Sequence, residues 1–346
     1  MLSIRQISKK YNSFHLKDIS LDIKQGEYFV LTGPSGAGKS VLFEIIAGII
    51  KADKGAIFLQ ESKITNLAIQ RRKIGLVFQD NTLFPHLTVR QNISYPLKIR
   101  KLTQSEITKR VIKLAEEMGI VKILNRRSST LSGGEIQRVS IARALAGDAK
   151  CLLLDEPLSS LDIQLKEEIR ILLKKLHKEG LTILHITHDH REAFQLAERM
   201  AVMVNGQIIQ CDKPLEICKA PVSKFVADFI GFKNFYSAKL INNNQLIIAE
   251  KLTISVSQLD GKFNFVIIPE QAIELIGDIE NQSNDNVFSA VIKEITNFPD
   301  TAELILDIGL IINKTIQYPN KFIDKFIPEM RVNISIDSGK LIFLEL

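Results

Sequence analysis

The sequence predicts an α/β domain with a parallel sheet, followed by a smaller all-β domain. A glycine-rich stretch at 33–40 lies between an apolar run and a helical pattern, as in strand–loop–helix units. The uninterrupted apolar run at 151–154 suits a strand covered on both faces. Beyond residue 230, helical patterns give way to short alternating runs divided by Asn, Asp, Gly and Pro. The 346 residues, 45% of them hydrophobic, suffice for two or three domains.

The glycine-rich stretch has the pattern of a phosphate-binding loop at every fixed position. The run at 28–31 predicts a strand before it and 40–48 a helix after it, which is the context that the pattern requires. Its glycines let backbone N–H groups face phosphates, Lys39 supplies a positive charge, and Ser40 offers a hydroxyl to Mg²⁺. A turn that binds nothing is the alternative, and the agreement of all four parts argues against it. The loop consists of Gly33, Pro34, Ser35, Gly36, Ala37, Gly38, Lys39 and Ser40.

Two acids, Asp155 and Glu156, follow the apolar run at 151–154. At the carboxyl end of a parallel strand they would emerge beside the phosphate loop. Asp155 would hold Mg²⁺ directly or through water, and Glu156 would orient or deprotonate the attacking water. A solvated turn explains two such acids about as often, but the phosphate loop upstream favours the catalytic interpretation.

A second anion-binding sequence precedes the helical pattern at 135–146. Ser132, Gly133 and Gly134 offer unhindered N–H groups at the positive end of that helix. Because the chain already has a complete phosphate loop, we expect these residues to bind the nucleotide of another subunit. Glu135 carries no part of this prediction: a carboxylate is repelled by phosphate, so it either points away or imposes an electrostatic cost.

With these motifs in this order, the chain resembles the ATP-binding cassette (ABC) ATPases over about residues 1–230. The phosphate loop corresponds to the Walker A motif, residues 131–138 to the signature, and residues 151–156 to Walker B. The resemblance implies a P-loop NTPase core at 1–230 with a largely helical insert at about 88–150. Within that insert, residues 104–118 have the apolar spacing of an amphipathic helix.

The resemblance also implies roles that spacing alone does not give. Gln79 is expected to reach the metal and the water, and to sense a membrane partner. His188 is expected at the γ-phosphate, Asp162 in the D-loop beside the nucleotide, and Tyr11 against the adenine. Outside that context, a strand-end glutamine and a half-buried tyrosine are the simpler interpretations. The predicted catalytic residues are Glu156, His188 and Gln79, and the predicted Mg²⁺ ligands are Ser40, Gln79 and Asp155.

In this family, ATP and Mg²⁺ are bound between two cassettes arranged head to tail, so the first implied partner is a second copy of the chain. The second is an integral membrane permease docking near residues 79–89, where Phe84 and Leu87 are the expected contacts. A periplasmic or extracellular solute-binding protein would act indirectly, and no nucleic acid partner is expected.

The C-terminal part, 235–346, is predicted to form a small β-barrel similar to the OB-like TOBE domain of import ATPases. The match is at the level of the fold, and a barrel that only stabilises a dimer is the alternative. The predicted strands lie at 235–241, 245–249, 262–268, 287–295, 303–308 and 332–336.

Charge and apolar runs agree with a protein that works on a membrane surface. Residues 1–230 carry 35 basic and 24 acidic residues, a net charge of +11, whereas residues 231–346 carry −5. Arg71, Arg72 and Lys73 are predicted to be solvated surface. The longest apolar runs are too short and too polar to span a bilayer, and the first residues do not resemble a signal peptide. With three cysteines expected to be reduced, the predicted location is peripheral, on the cytoplasmic face of the inner membrane.

The solute is the least constrained prediction, because the ATPase does not touch it. The chain looks most like importers of molybdate or tungstate, with ferric iron, sulfate, polyamine and sugar importers as alternatives. A different class, the non-transport ABC ATPases that act on nucleic acid, usually has a long coiled coil between Walker A and the signature, and this sequence lacks one. Salt-sensitive duplex binding without a permease would favour that class.

Overall fold

The structure, a computed structural model, describes residues 1–345 except 12, 81–82, 258, 260–261, 277–285 and 318–325. The chain divides into two compact units, Met1–Leu215 and Glu216–Leu346. The sequence prediction ended the first domain at 230. The difference arises because helix α8 (Lys224–Phe229) packs within the second unit, where Ala227 shares an apolar cluster with Phe235 and Ile267.

Among its described residues, the first unit contains ten strands and six complete α-helices. The strands are β1 (Leu2–Lys10), β2 (His15–Ile23), β3 (Tyr28–Thr32), β4 (Lys54–Leu59), β5 (Ser62–Lys63), β6 (Ile74–Val77), β7 (Cys151–Asp155), β8 (Thr182–Thr187), β9 (Arg199–Val204) and β10 (Gln207–Asp212). The helices are α1 (Lys39–Ala47), α2 (Val89–Ile99), α3 (Gln104–Glu117), α4 (Gly133–Ala146), α5 (Ile163–Lys178) and α6 (His190–Leu196), and α7 (Pro214–Lys219) crosses the division.

The predicted parallel sheet is present at the centre of this unit. Its strand order is β10-β9-β3-β8-β7-β6, with β6, β7, β8, β3 and β9 parallel and β10 antiparallel. Strands β3 and β8 are buried along their whole length, which explains the uninterrupted apolar run at 28–31 in β3. A second, antiparallel sheet (β2-β1-β4-β5) shares an apolar core with α1 and the central sheet. The carboxyl ends of the parallel strands therefore open onto one edge.

The segment between β6 and β7 is helical, as predicted. The α-helices α2, α3 and α4 described in this segment each begin with a capping box, in which a Ser or Thr side chain and a Gln or Glu three residues later exchange hydrogen bonds. Buried Ile107, Val111 and Leu114 form the apolar face of α3. The sequence therefore marks the starts of these helices through local chemistry.

The second unit is all-β apart from short helices. Its strands are β11 (Phe235–Asn242), β12 (Gln245–Ile248), β13 (Leu252–Ser255), β14 (Phe265–Ile267), β15 (Ile273–Ile276), β16 (Val287–Asn297), β17 (Thr301–Asp307), β18 (Ile311–Gln317), β19 (Arg331–Ile336) and β20 (Ile342–Leu344). They form two five-stranded sheets, β13-β12-β11-β14-β20 and β15-β19-β16-β17-β18, around one apolar core. The six predicted strands are all present.

The three cysteines agree with the prediction that they are reduced. Cys151, Cys211 and Cys218 are free thiols. Burial raises the pKa of the Cys151 thiol to about 12, so it packs as a neutral side chain. In the described part of the chain, no helix has the length and apolar character needed to cross a membrane.

Candidate functional site

The phosphate loop lies between β3 and α1, with close packing on one side and open space on the other. A Cβ at Gly33 would lie 2.1 Å from the carbonyl oxygen of Met203, and one at Gly38 would lie 2.3 Å from the Phe14 ring. Gly36 instead faces open space. Gly38 precedes α1 and supplies no side-chain cap, so the first N–H groups of α1 are left for another acceptor. The loop is shaped to receive an anion at the end of a helix.

Lys39 is held inside this loop. Its ammonium donates to the carbonyl oxygens of Gly33 at 2.8 Å and Pro34 at 2.9 Å. Burial lowers the pKa of Lys39, while the carboxylates of Glu156 and Asp155 act in the opposite direction. The loop therefore contains a buried, pre-positioned cation beside two acids.

The two acids end β7 in different environments. Burial first, and the neighbouring Glu156 carboxylate second, raise the pKa of Asp155 from 3.8 to about 6. Glu156 adopts a left-handed backbone conformation, with φ of 46°, which is uncommon for a residue other than glycine. Its N–H donates to the carbonyl oxygen of Ile186 at 2.9 Å, which fixes this turn to β8.

His188 lies against Glu156. The distance between His188 Nδ1 and Glu156 Oε1 is 2.9 Å, and because an ionised carboxylate only accepts, Nδ1–H is the donor. The two residues follow β7 and β8, which pair in parallel, so adjacent strand ends bring them together. The Glu156 side chain is 17% exposed and the His188 side chain 53%. The pair leaves the Nε2 atom of His188 available to a substrate.

A cavity of about 640 Å³ lies over the phosphate loop. Tyr11, 40% exposed, lines it, and the Lys9 ammonium lies 5.7 Å from the centre of the Tyr11 ring. Phe14 also lines the cavity, and the sequence analysis did not identify it; its only signal is a second aromatic residue beside Tyr11. The full lining comprises Tyr11, Ser13, Phe14, Ser35, Gly36, Gly38, Lys39, Ser40, Val41 and Glu156.

Gln79 lies outside this lining. It is exposed, two residues beyond β6, which is the neighbour of β7 in the sheet. The structure therefore places Gln79 at the same sheet edge as Asp155 but gives it no described contact with the phosphate loop.

The Ser132 segment is likewise absent from the cavity lining. Ser132 caps α4 by accepting from the Glu135 N–H at 3.3 Å, and Glu135 accepts in turn from the Ser132 N–H at 2.8 Å. Glu135 also pairs with Arg126 at 3.1 Å. Of the two alternatives for Glu135, the structure favours a carboxylate turned back on its own helix start. Packing within the chain also favours a glycine at position 134, because a Cβ there would lie 2.8 Å from the Leu165 side chain.

Asp162 is the N-cap of α5. Its side chain accepts from the Leu165 N–H at 2.9 Å, which is a structural role within one chain. A Cβ at Gly133 would lie 3.2 Å from Leu161, so the α4 start packs against this loop. The predicted contact of Asp162 with nucleotide therefore requires a second copy, as for Ser132.

The donors beside the loop fit Mg²⁺ bound together with phosphates. Among the described residues, no three His, Cys, Asp or Glu side chains form a metal-binding cluster. Mg²⁺ typically needs only one or two carboxylates, with phosphates and water completing its shell. A half-buried Asp155 with a raised pKa gains from an adjacent cation, and Ser40 lines the same cavity. The residues present therefore suit Mg²⁺ only when a nucleotide is bound.

Metal-free Asp155→Asn should be more stable than the wild type at neutral pH. A carboxyl whose pKa is raised on folding lowers the free energy of unfolding at pH values above that pKa. For Asp155 this cost is absent below about pH 3.8, grows as the pH rises towards 6, and is complete above pH 6. With an allowance for the partial exposure of Asp155, the expected gain in unfolding free energy is about 1 kcal/mol, which corresponds to a rise of roughly 3 °C in Tm. Thermal melts in EDTA should show this gain at pH 7.5 and lose it near pH 4. Asp80→Asn, at an exposed carboxylate, is the control, and equal gains at both pH values would contradict the prediction.

Comparisons with known proteins agree with the fold of the first unit. A family profile described as ABC transporter matches residues 16–159. The chain is 39% identical to a molybdate/tungstate import ATP-binding protein of Pyrococcus horikoshii over 90% of each chain. It is 43% identical to a spermidine/putrescine import ATP-binding protein of Thermotoga maritima over 69% of this chain and 66% of that protein. A solved dimeric bacterial ABC transporter cassette is similar in fold, with a TM-score of 0.56 and 33% identity over 62% of this chain and 99% of that one.

Proposed function

Because this chain belongs to the ABC transporter family, as an ATP-hydrolysing subunit of the import type, we propose that it drives uptake of molybdate or tungstate through a separate permease. The relative in Pyrococcus horikoshii, similar over 90% of both chains, supports this solute. The similarity to a polyamine importer makes spermidine and putrescine the main alternative. Ferric iron, sulfate and sugars remain alternatives from the sequence analysis.

The contact between Glu156 and His188 carries the catalytic part of the proposal. Glu156 accepts a proton from the attacking water. His188, protonated on both ring nitrogens, donates through Nδ1 to this carboxylate and through Nε2 to the γ-phosphate. Lys39 and the N–H groups of the phosphate loop hold the outer phosphates. Gln79 positions the water.

Mg²⁺ would supply charge neutralisation on the phosphates as they separate. In the proposed site it is held by the Ser40 hydroxyl and the Asp155 carboxylate, with Gln79 as a further oxygen ligand. Tyr11 provides a face for the adenine ring, and Phe14 closes the same side of the cavity.

Two copies of the chain are proposed to pair head to tail. Ser132–Gly134 and Asp162 lie away from the cavity of their own chain, so in the pair they complete the site of the partner. A phosphate of the partner's nucleotide would then meet the N-terminus of α4, where the positive end of the helix dipole lies. Similarity to a dimeric cassette structure supports this pairing.

The proposed permease contact lies at residues 79–89. Residues 81 and 82 of this segment are outside the described part of the chain. Phe84 is half-buried, with its ring 4.6 Å from Tyr95 and 5.5 Å from the Arg143 guanidinium. Tyr95, on α2, is 43% exposed and adds an aromatic surface that the sequence analysis did not identify. An apolar helix end of the permease fits such a surface.

Alanine at Phe84 and Leu87 should uncouple transport from ATP use. Removing these two side chains weakens the permease contact and leaves the phosphate loop intact, so we expect at least a tenfold drop in solute uptake while ATPase activity of the isolated chain changes less than about twofold. Uptake and ATPase rates in reconstituted vesicles measure both quantities. Ile171→Ala, at an exposed apolar residue of α5, is the control, and normal uptake by the double variant would contradict the assignment.

The solute is tested with the complete transporter in vesicles. The chain would then be bound peripherally at the cytoplasmic face of the inner membrane, with a periplasmic or extracellular solute-binding protein delivering the cargo. ATPase activity is measured with that binding protein presented with molybdate, tungstate, sulfate, Fe³⁺ or spermidine. Stimulation by molybdate or tungstate alone supports the proposal, and stimulation by spermidine or Fe³⁺ alone replaces it.

A further inference from the structure

Arg72 is buried beside the last turn of α1, so the sequence prediction of a solvated position was wrong. Its Nη1 atom donates to the carbonyl oxygens of Ile45 and Ile46, each at 2.8 Å. Its Nε donates to Leu67 at 2.9 Å and its Nη2 to Thr65 at 2.6 Å. One side chain thus joins the carboxyl end of the phosphate-loop helix to the segment that leads into β6.

Gly48 makes room for this guanidinium. It ends α1 in a left-handed conformation with φ of 87°, and a Cβ there would lie 2.3 Å from Arg72 Nε. The last carbonyl groups of a helix have no partner within the helix, and a cation beside them also favours the helix dipole. Arg72 and Gly48 therefore form a specific cap for α1.

Strand β6 depends on such support because it is an edge strand of four residues. Among the described strands it pairs only with β7. Just beyond its far end, the Phe78 ring packs edge-on against Phe43 of α1, with ring centres 5.5 Å apart. Gln79 follows Phe78 directly. Contacts with α1 thus flank β6 at both ends, and α1 itself begins with Lys39 and Ser40.

We propose that Arg72 is a positioning residue for ATP hydrolysis, which holds the strand that carries Gln79 in place against the helix that carries Lys39 and Ser40. It acts through Gln79, so the inference rests on the role given to Gln79 in the proposed function. A displacement of residues 79–89 by the permease then moves β6 and α1 together, because Arg72 and Phe78 hold both ends of β6 against α1.

A double-mutant cycle between Arg72→Lys and Gln79→Ala tests this in the full-length chain. A lysine ammonium lacks the planar fork that serves four carbonyls, so we expect kcat to fall about tenfold while KM for ATP changes less than about threefold. With Gln79→Ala already present, the same change should lower kcat less than about twofold, since the residue it acts through is gone. Arg71→Lys, at the exposed neighbour, is the matched control.

A second variant guards against a folding defect in Arg72→Lys. Phe43→Leu removes the ring contact at the other end of β6 without unpairing a hydrogen bond, and it should show the same dependence on Gln79. Normal kcat in Arg72→Lys, or a full tenfold loss in the Gln79→Ala background, overturns the positioning role. Normal kcat in Gln79→Ala alone refutes the role of Gln79 and, with it, this inference, whereas the ATPase assignment is tested separately at Glu156.

Discussion

Glu156→Gln should retain ATP binding and lose hydrolysis by a factor of about 10²–10⁴. The amide has the shape of the carboxylate and can still accept from His188 Nδ1, but it cannot take a proton from water. Binding by Lys39 and the phosphate loop is unaffected, so the variant should accumulate as a closed, ATP-bound dimer. Single-turnover hydrolysis, ATP affinity and the ATP-dependent change in mass in solution are the three measurements.

The control for this change is Glu198→Gln, which neutralises an exposed carboxylate near His177. It should hydrolyse ATP at the normal rate. If Glu156→Gln also does so, Glu156 is not the base. A variant that neither binds nor hydrolyses would instead indicate that the charge of Glu156 supports the loop around Lys39.

Two inactive variants should restore activity to each other when mixed. Lys39→Ala removes the cation from the phosphate loop, and Ser132→Asp places a negative charge where the partner's phosphate is expected while remaining a good N-cap. Each variant alone should fall at least about 100-fold, because both sites of its dimer are defective. A mixed dimer has one complete site, so random pairing should recover about a quarter of the wild-type rate.

The restored rate separates shared from self-contained sites. If one chain held the whole site, mixing would recover nothing, since neither chain has both intact segments. Thermal melts of each variant are the control for folding. A strictly monomeric preparation that hydrolyses ATP at the full rate would also refute the shared site.

The sequence predicted the parts of the site that lie close together along the chain. The phosphate loop, the acids after β7 and the capped start of α4 each depend on a few consecutive residues, and the structure forms all three elements. The grouping of the phosphate loop with the two acids followed from one rule, because carboxyl ends of neighbouring parallel strands share an edge. This rule also brought His188 to Glu156, although 32 residues separate them.

Features that depend on contacts between distant segments were missed. Arg72 lies in a basic tripeptide whose charge predicts solvent, and only the packing of α1 shows that its neighbours are carbonyl oxygens. Phe14 and Tyr95 are single aromatic residues without a motif. Residues 216–230 carry helical patterns like those of the first domain, yet α8 packs with β-strands. In each case, the environment of the side chain depends on segments that lie far away in the sequence.

The left-handed backbone at Glu156 has a practical consequence for anyone who selects variants by thermostability. Glycine and asparagine adopt this conformation at lower cost than glutamate, by an amount on the order of 1 kcal/mol. A screen that rewards melting temperature alone will therefore favour replacement of this glutamate and enrich robust but inactive proteins. Libraries for this enzyme should keep position 156 fixed, or score turnover alongside heat resistance.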